Sequence, residues 1–299
     1  MINSKGDIAF KIISHVIMVL ATLLALVPLV LLVMSSFTSN NMILANGYSF
    51  FPQEWSLENY TYVLVQNNKI LMAYGVSAML TLVGTVLGTA ITLLLGYALS
   101  RKGLPGRKVL TFLVFFTMLF NGGLVPTYIN YTQVFGIKNT FFALLIPSLL
   151  VNAFYVMLVK SYFFTSVPDV IMEAACIDGA NEYAIFFRIA TPMAKPMIAT
   201  IALFIGLGYW NDWYNGYLYI TTKTELYSIQ NLLTRMQQNI QFLMQNSSAL
   251  TNTQAGMANI PSEGIRMSMA VLGILPIVVV YPFIQNHFVQ GINMSGVKG

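Results

Sequence analysis

Between Pro168 and Lys195 the chain reads Pro-Asp-Val-Ile-Met-Glu-Ala-Ala-Cys-Ile-Asp-Gly-Ala-Asn-Glu-Tyr-Ala-Ile-Phe-Phe-Arg-Ile-Ala-Thr-Pro-Met-Ala-Lys. Four of the protein's ten acids fall in this stretch: Asp169, Glu173, Asp178 and Glu182. Apolar segments long enough to cross a bilayer flank it on both sides. A membrane protein that gathers its acids into one short loop presents that loop to something soluble, or leaves it as a solvated connection.

The composition supports the membrane setting. Of 299 residues 57% are hydrophobic and 8% charged, where a soluble domain carries about 25% charged residues. With a mean hydropathy of +0.69, this excludes an ordinary soluble globule. The net charge of +5 does not point to nucleic acid, because the fifteen Lys and Arg form no basic tract. The single Cys176 excludes an internal disulfide.

Charges act as walls between spans. No charged residue lies between Lys69 and Arg101, Lys108 and Lys138, Lys138 and Lys160, or Arg266 and Lys298. A further clean stretch follows Lys195, and the N-terminal run from Ile12 to Phe37 is too long for a signal-peptide core. It is read as an uncleaved first helix. The expectation is an all-α polytopic protein with six transmembrane helices, at 12–36, 71–100, 108–131, 140–164, 196–220 and 264–288. If both termini are cytoplasmic, ten cations lie inside (Lys5, Lys11, Arg101, Lys102, Arg107, Lys108, Lys160, Arg188, Lys195, Lys298) and five outside (Lys69, Lys138, Lys223, Arg235, Arg266). That bias favours this orientation. It puts loop 168–195 in the cytoplasm and segments 37–69 and 221–263 outside, with the polar stretch Gln237–Gly256 read as an external loop. In the second span Gly84, Gly88 and Gly96, with Thr92 and Ser100, make a stripe of small residues. It serves either packing within the chain or an interface with a partner subunit.

The loop itself predicts a short helix, a turn and a second helix. Ser166-Val-Pro-Asp169 fits an N-terminal cap with Pro168 in the first turn. Asp169 and Glu173 share a face, where their repulsion favours a cationic partner. Gly179 can end the helix in the left-handed conformation, Asn181 can cap the next, and Pro192 and Pro196 bend the entry to the fifth span.

These residues carry a resemblance. Glu173-Ala174-Ala175, Gly179 after a three-residue gap, then Ile189 and Pro192, resemble the EAA motif of ATP-binding-cassette importer permeases. Glu173 to Ala180, with Asp178-Gly179-Ala180, is similar to the carbohydrate importers; Thr191 departs from the family's usual Leu. Leu57-Glu-Asn-Tyr60, Trp210-Asn211 and the closing Gly296-Val-Lys-Gly299 resemble the second permease of maltose-type importers. Asn121-Gly-Gly-Leu-Val-Pro126 and Tyr281-Pro-Phe283 are similar to the subgroup importing complex plant-derived oligosaccharides. The resemblance implies a heteromeric complex in the bacterial cytoplasmic membrane. This chain would pair with a second permease, two cytoplasmic ATPase subunits and an external sugar-binding protein. ATP and magnesium would be held on the ATPase, with no cofactor on this chain and no nucleic-acid partner. The coupling residues would be Glu173, Ala174, Ala175, Asp178, Gly179, Ala180 and Pro192.

Other features are subordinate. Trp210, Asn211, Asp212, Trp213 and Tyr214 form either an interfacial aromatic belt or part of a substrate pathway. Asp212 is the one acid expected inside a span, which leaves an ion-coupled secondary carrier as the alternative. His15 and His287 lack ligand spacing, so no metal site is expected. The sequence contains no phosphate-binding Gly-x-x-x-x-Gly-Lys loop and no hydrolase or zinc-protease motif. Neither ATP binding nor an enzymatic activity is expected of this chain.

Overall fold

The computed structural model describes residues 5–65, 69–245 and 262–296. In chain order the helices are α1 (Lys5–Ser36), α2 (Asn40–Asn46), α3 (Glu58–Val65), α4 (Lys69–Ser100), α5 (Arg107–Leu119), α6 (Leu124–Ile129), α7 (Phe142–Leu145), α8 (Ala153–Ser166), α9 (Asp169–Ile177), α10 (Glu182–Ile185), α11 (Thr191–Met193), α12 (Lys195–Trp210), α13 (Tyr214–Tyr219), α14 (Ile229–Gln245) and α15 (Ser262–Gly296). Single π-helical turns extend α6 through Asn130–Val134 and join α10 to α11 through Phe186–Ala190. Among the described residues the only strand-like feature is the isolated pairing of Thr38 with Trp55.

Three helices are long and apolar enough to cross a membrane by themselves: Phe10–Ser36, Lys69–Ser100 and Glu263–Pro282. Two bent pairs, Arg107–Leu119 with Leu124–Val134 and Glu182–Met193 with Lys195–Trp210, raise the number to five. Three of the six expected spans are therefore interrupted. The segment 108–131 turns through 115° at Asn121-Gly-Gly123, where Gly123 adopts φ +88° and its N–H bonds to the Asn121 side chain at 2.9 Å. The segment 140–164 is a four-residue helix and a fourteen-residue one. Pro147 and Ser148, with φ +63°, part them, and the Asn152 side chain caps α8. The segment 196–220 ends its helix at Trp210 and restarts at Tyr214.

The chain forms two compact units, Met1–Ile70 with Arg235–Pro276, and Leu71–Thr234 with Ile277–Gly299. In the first, the buried Asn59 side-chain amide donates to the carbonyls of Ser36 (3.3 Å) and Thr38 (2.9 Å), tying α3 to the end of α1. The Tyr60 hydroxyl meets the Ser36 hydroxyl at 2.7 Å, and its ring packs at a tilt against Phe37. Gly264 of α15 presses on Asn59, where no side chain would fit. Leu57-Glu-Asn-Tyr60 is thus a clasp. The expected outer segment 221–263 is not all loop, since Ile229–Gln245 is helical; one face, Ile229, Leu232 and Leu233, is buried. Residues 246–256 of that expected polar loop, and the closing Val297-Lys-Gly299, lie outside the described residues.

In the second unit α4 is the central post. Three of its glycines face other parts of this chain. Gly84 lies against the Tyr209 ring, Gly88 against Ile205 and the Leu150 carbonyl, and Gly96 against Val159. The small-residue stripe therefore serves packing within the chain. Around it Leu80, Leu93, Val159, Phe163, Ile185, Phe186, Ile201 and Ile205 close an apolar core.

Candidate functional site

The polar stretch 168–195 folds as a compact helical element standing on that core. Asp169–Ile177 makes α9, with Pro168 in extended conformation at its start. The expected Ser166 cap does not form: the Ser166 hydroxyl meets only Thr165 at 3.5 Å, and no side chain caps the helix. Proline at the boundary sets the entry angle without one. The other end obeys the sequence. Gly179 takes φ +83°, its N–H bonds to the Cys176 carbonyl (3.1 Å), and the Ala180 N–H reaches back to Ala175 (2.9 Å). This pair of bonds is a Schellman turn, in which Ala175 and Ala180 also pack on the core. The spacing Glu-Ala-Ala-x-x-x-Gly-Ala has a local cause: it places the acceptor, the left-handed residue and the returning donor. Asn181 then caps α10, accepting from the Ala184 N–H at 2.8 Å.

From α10 the chain continues through the π-helical turn into α11 and breaks at Ala194. Pro196 lacks the N–H that would bond to Pro192, and the helix axis swings 82° into α12. Pro192 is exposed at this corner.

Two faces of α9 differ in chemistry. Met172 is buried and Ala175 half-buried. Val170, Glu173, Ala174 and Ile177, at helical positions i, i+3, i+4 and i+7, are all exposed, Val170 to 74% and Ile177 to 86%. Tyr183 and Phe187 extend this apolar surface across the turn. Beside them opens a hollow of about 650 Å³ lined by Asp178, Asn181, Tyr183, Phe187 and Arg188 among others. The Glu173 and Asp178 carboxylates have no ion-pair or hydrogen-bond partner among the described residues. An apolar strip carrying unpaired carboxylates can receive a groove with a cation at its rim.

The element is clamped to the end of α4. Arg101 donates to Glu182 at 3.2 Å and to the Met172 sulfur at 3.0 Å, and lies over the Tyr97 ring. The Tyr97 hydroxyl donates to the other Glu182 oxygen at 2.9 Å, and its ring packs on Phe163 and Phe186. Lys102 holds Asp169 at 2.6 Å. In the sequence Arg101 and Lys102 read only as inside cations, and Tyr97 is one apolar-helix residue among others. The signal was there: Tyr97 and Arg101 are one turn apart at the polar end of an apolar helix.

The aromatic cluster is placed differently from expectation. Asp212 lies in the turn after α12, not within a helix. Its Oδ1 accepts from the N–H groups of Tyr214 (3.1 Å) and Asn215 (3.3 Å), so it starts α13; its Oδ2 has no hydrogen-bond partner. Asn211 bonds back to Leu207, and Trp210 lies near Tyr74. Trp213 is exposed against Tyr214 and Tyr217.

No protein-family model matches the chain. It is similar to Protein LplC of Bacillus subtilis (strain 168), 33% identical over 99% of this chain and 97% of that protein. It is similar also to the polygalacturonan/rhamnogalacturonan transport system permease protein YtcP of the same strain, at 32% identity over 97% and 98% of the two chains. Among solved structures it superposes on a chain of a bacterial ABC transporter involved in the import of the acidic polysaccharide alginate. The TM-score is 0.80 at 27% identity, covering 96% of this chain and 99% of that one.

Proposed function

The chain belongs to the permease subunits of carbohydrate ABC transporters, transport components rather than enzymes, and from that premise we propose that it is one half of the membrane pore of an oligosaccharide importer. The cargo is an oligosaccharide of plant cell-wall origin. A relative named for polygalacturonan and rhamnogalacturonan transport supports this. An external sugar-binding protein delivers it, a second and different permease completes the pore, and two separate ATPase subunits hold ATP and magnesium. The setting is the bacterial cytoplasmic membrane, with both termini and the 168–195 element on the cytoplasmic side, as the cation bias favours.

The exposed face of α9 carries the reading. Val170, Glu173, Ala174 and Ile177 offer an apolar strip and an unpaired acid to a soluble partner, on an element whose turn is built by Gly179. Glu173 meets a cation of the ATPase. ATP can drive alternating access only if the nucleotide favours one permease conformation over another. That requires a mechanical connection, and Arg101 and Lys102 supply it by joining this element to α4.

The test is copurification in mild detergent, with uptake measured in parallel. An ATPase subunit, a second permease and a solute-binding protein should come down with the chain. Glu173→Arg should release the ATPase and abolish uptake while leaving membrane abundance unchanged. Uptake by the chain alone, collapsing with the ion gradient at constant ATP, would instead favour an ion-coupled carrier using Asp212.

A further inference from the structure

Lipid offers no hydrogen bonds, so irregular backbone at membrane depth must face protein or water. Three helices of the second unit, α5, α8 and α12, have 13, 14 and 16 residues. At 1.5 Å per residue they reach about 20–24 Å, short of the roughly 30 Å hydrocarbon core. Each gives way to irregular chain, at 120–123, 146–152 and 211–213. The chain around the last two segments is tied together. The Tyr209 hydroxyl donates to the Leu145 carbonyl at 2.8 Å, and the Asn215 amide to Pro147 at 3.0 Å.

The first segment has no such partner. Among the described residues nothing bonds the N–H groups of Asn121 and Gly122 or the carbonyls of Phe120, Asn121 and Gly122. All of residues 120–123 are exposed. Gly123 needs to be glycine for its positive φ, but Gly122 does not: its φ is not positive, and a Cβ there would meet nothing within 4 Å. The missing side chain at Gly122 serves nothing inside this chain. It leaves backbone open to something outside.

We propose that Phe120-Asn-Gly-Gly123 lines the aqueous translocation path and hydrogen-bonds the hydroxyls of the passing oligosaccharide through its backbone and the Asn121 amide. This rests on the importer reading. The segment offers both donors and acceptors, as sugar hydroxyls do, and no charged residue lies between Lys108 and Lys138, so it offers the cargo hydrogen bonds rather than an ion pair.

The experiment uses the assembled transporter in membranes, with Cys176→Ser as background and single cysteines at Asn121, Gly122 or Leu113, the last on the exposed apolar face of α5. The probe is a charged, membrane-impermeant methanethiosulfonate. Asn121→Cys and Gly122→Cys should react about tenfold faster than Leu113→Cys, and a polygalacturonan-derived oligosaccharide that the background complex takes up should slow them. Reaction as slow as at Leu113→Cys overturns the proposal, as it would if lipid or the second permease covered the segment. Fast reaction unaffected by every oligosaccharide taken up overturns the sugar contact. Uptake by the background complex is measured separately: its absence sinks the importer reading, and the sugar contact with it, whatever the labelling rate.

Discussion

Arg101, the first residue beyond α4, donates to Glu182 at 3.2 Å across 81 positions of sequence. The pair joins a long apolar helix to the second helix of the 168–195 element, and it is half open to solvent, with side chains 22% and 60% exposed. Such a pair stabilises the fold by no more than about 1 kcal/mol. Its importance is geometric: it ties the start of α10 to the end of α4.

Arg101→Glu should therefore uncouple rather than unfold. ATP hydrolysis by the assembled complex should continue while uptake falls, and Arg101→Glu with Glu182→Arg should recover uptake. The check is uptake and ATPase rate measured on the same vesicles. Loss of both activities in the single variant, unrescued by the swap, would show that the pair only holds the fold.

A second clip is acid-sensitive. The hydrogen bond from Lys102, with the ammonium charge behind it, holds the Asp169 carboxyl below its ordinary value of 3.8. A depressed folded pKa contributes above the unfolded value and is lost as pH falls through the folded one. The clip should stay closed from neutral pH down to the ordinary carboxylate range and open only below it. A carboxyl-carbon NMR titration would report this, with Asp169→Asn identifying the signal. A midpoint at or above 3.8 would remove the clip from the account.

Gly179 is a conformational requirement, not a steric one. Its φ is +83° and a Cβ would meet nothing within 4 Å, so a substitution pays only the left-handed backbone cost of roughly 1–2 kcal/mol. Asparagine tolerates that region and β-branched residues do not. Uptake should rank Gly179, then Gly179→Asn, then Gly179→Ala, then Gly179→Val, at equal membrane abundance. Full uptake by Gly179→Val would contradict the turn's role.

Two glycines of α4 should behave oppositely. At Gly96 a Cβ would lie 2.8 Å from Val159 Cβ and 3.1 Å from the Lys160 backbone N, so Gly96→Ala should destabilise by about 1–3 kcal/mol through overpacking. At Gly75 nothing lies within 4 Å, and Gly75→Ala should be neutral or stabilising by up to about 1 kcal/mol from helix propensity. Thermal unfolding in one detergent would compare them.

Much of the 168–195 element is legible in its residues because its instructions are local. Gly179, Ala175 and Ala180 are five positions apart at most, and Asn181 caps the helix that follows it directly. Hydrogen bonds over such spans follow from residue type and spacing. The apolar runs are legible for a similar reason, since charge is excluded from hydrocarbon wherever the chain goes. What the sequence by itself determined is thus the membrane class, the helical element at 168–195 and its turn. Continuity of the spans was not legible. An apolar run looks the same whether it is one helix or two, and the breaks at Asn121-Gly-Gly123 and Pro147-Ser148 depend on which backbone groups find partners. Only the tertiary structure decided that Tyr97, Arg101 and Lys102 grip Asp169, Met172 and Glu182, that the glycine stripe faces this chain's own α8 and α12, and that Asp212 starts a helix. Those contacts join residues distant in sequence, and no local pattern of spacing or charge encodes which of them the packing brings together.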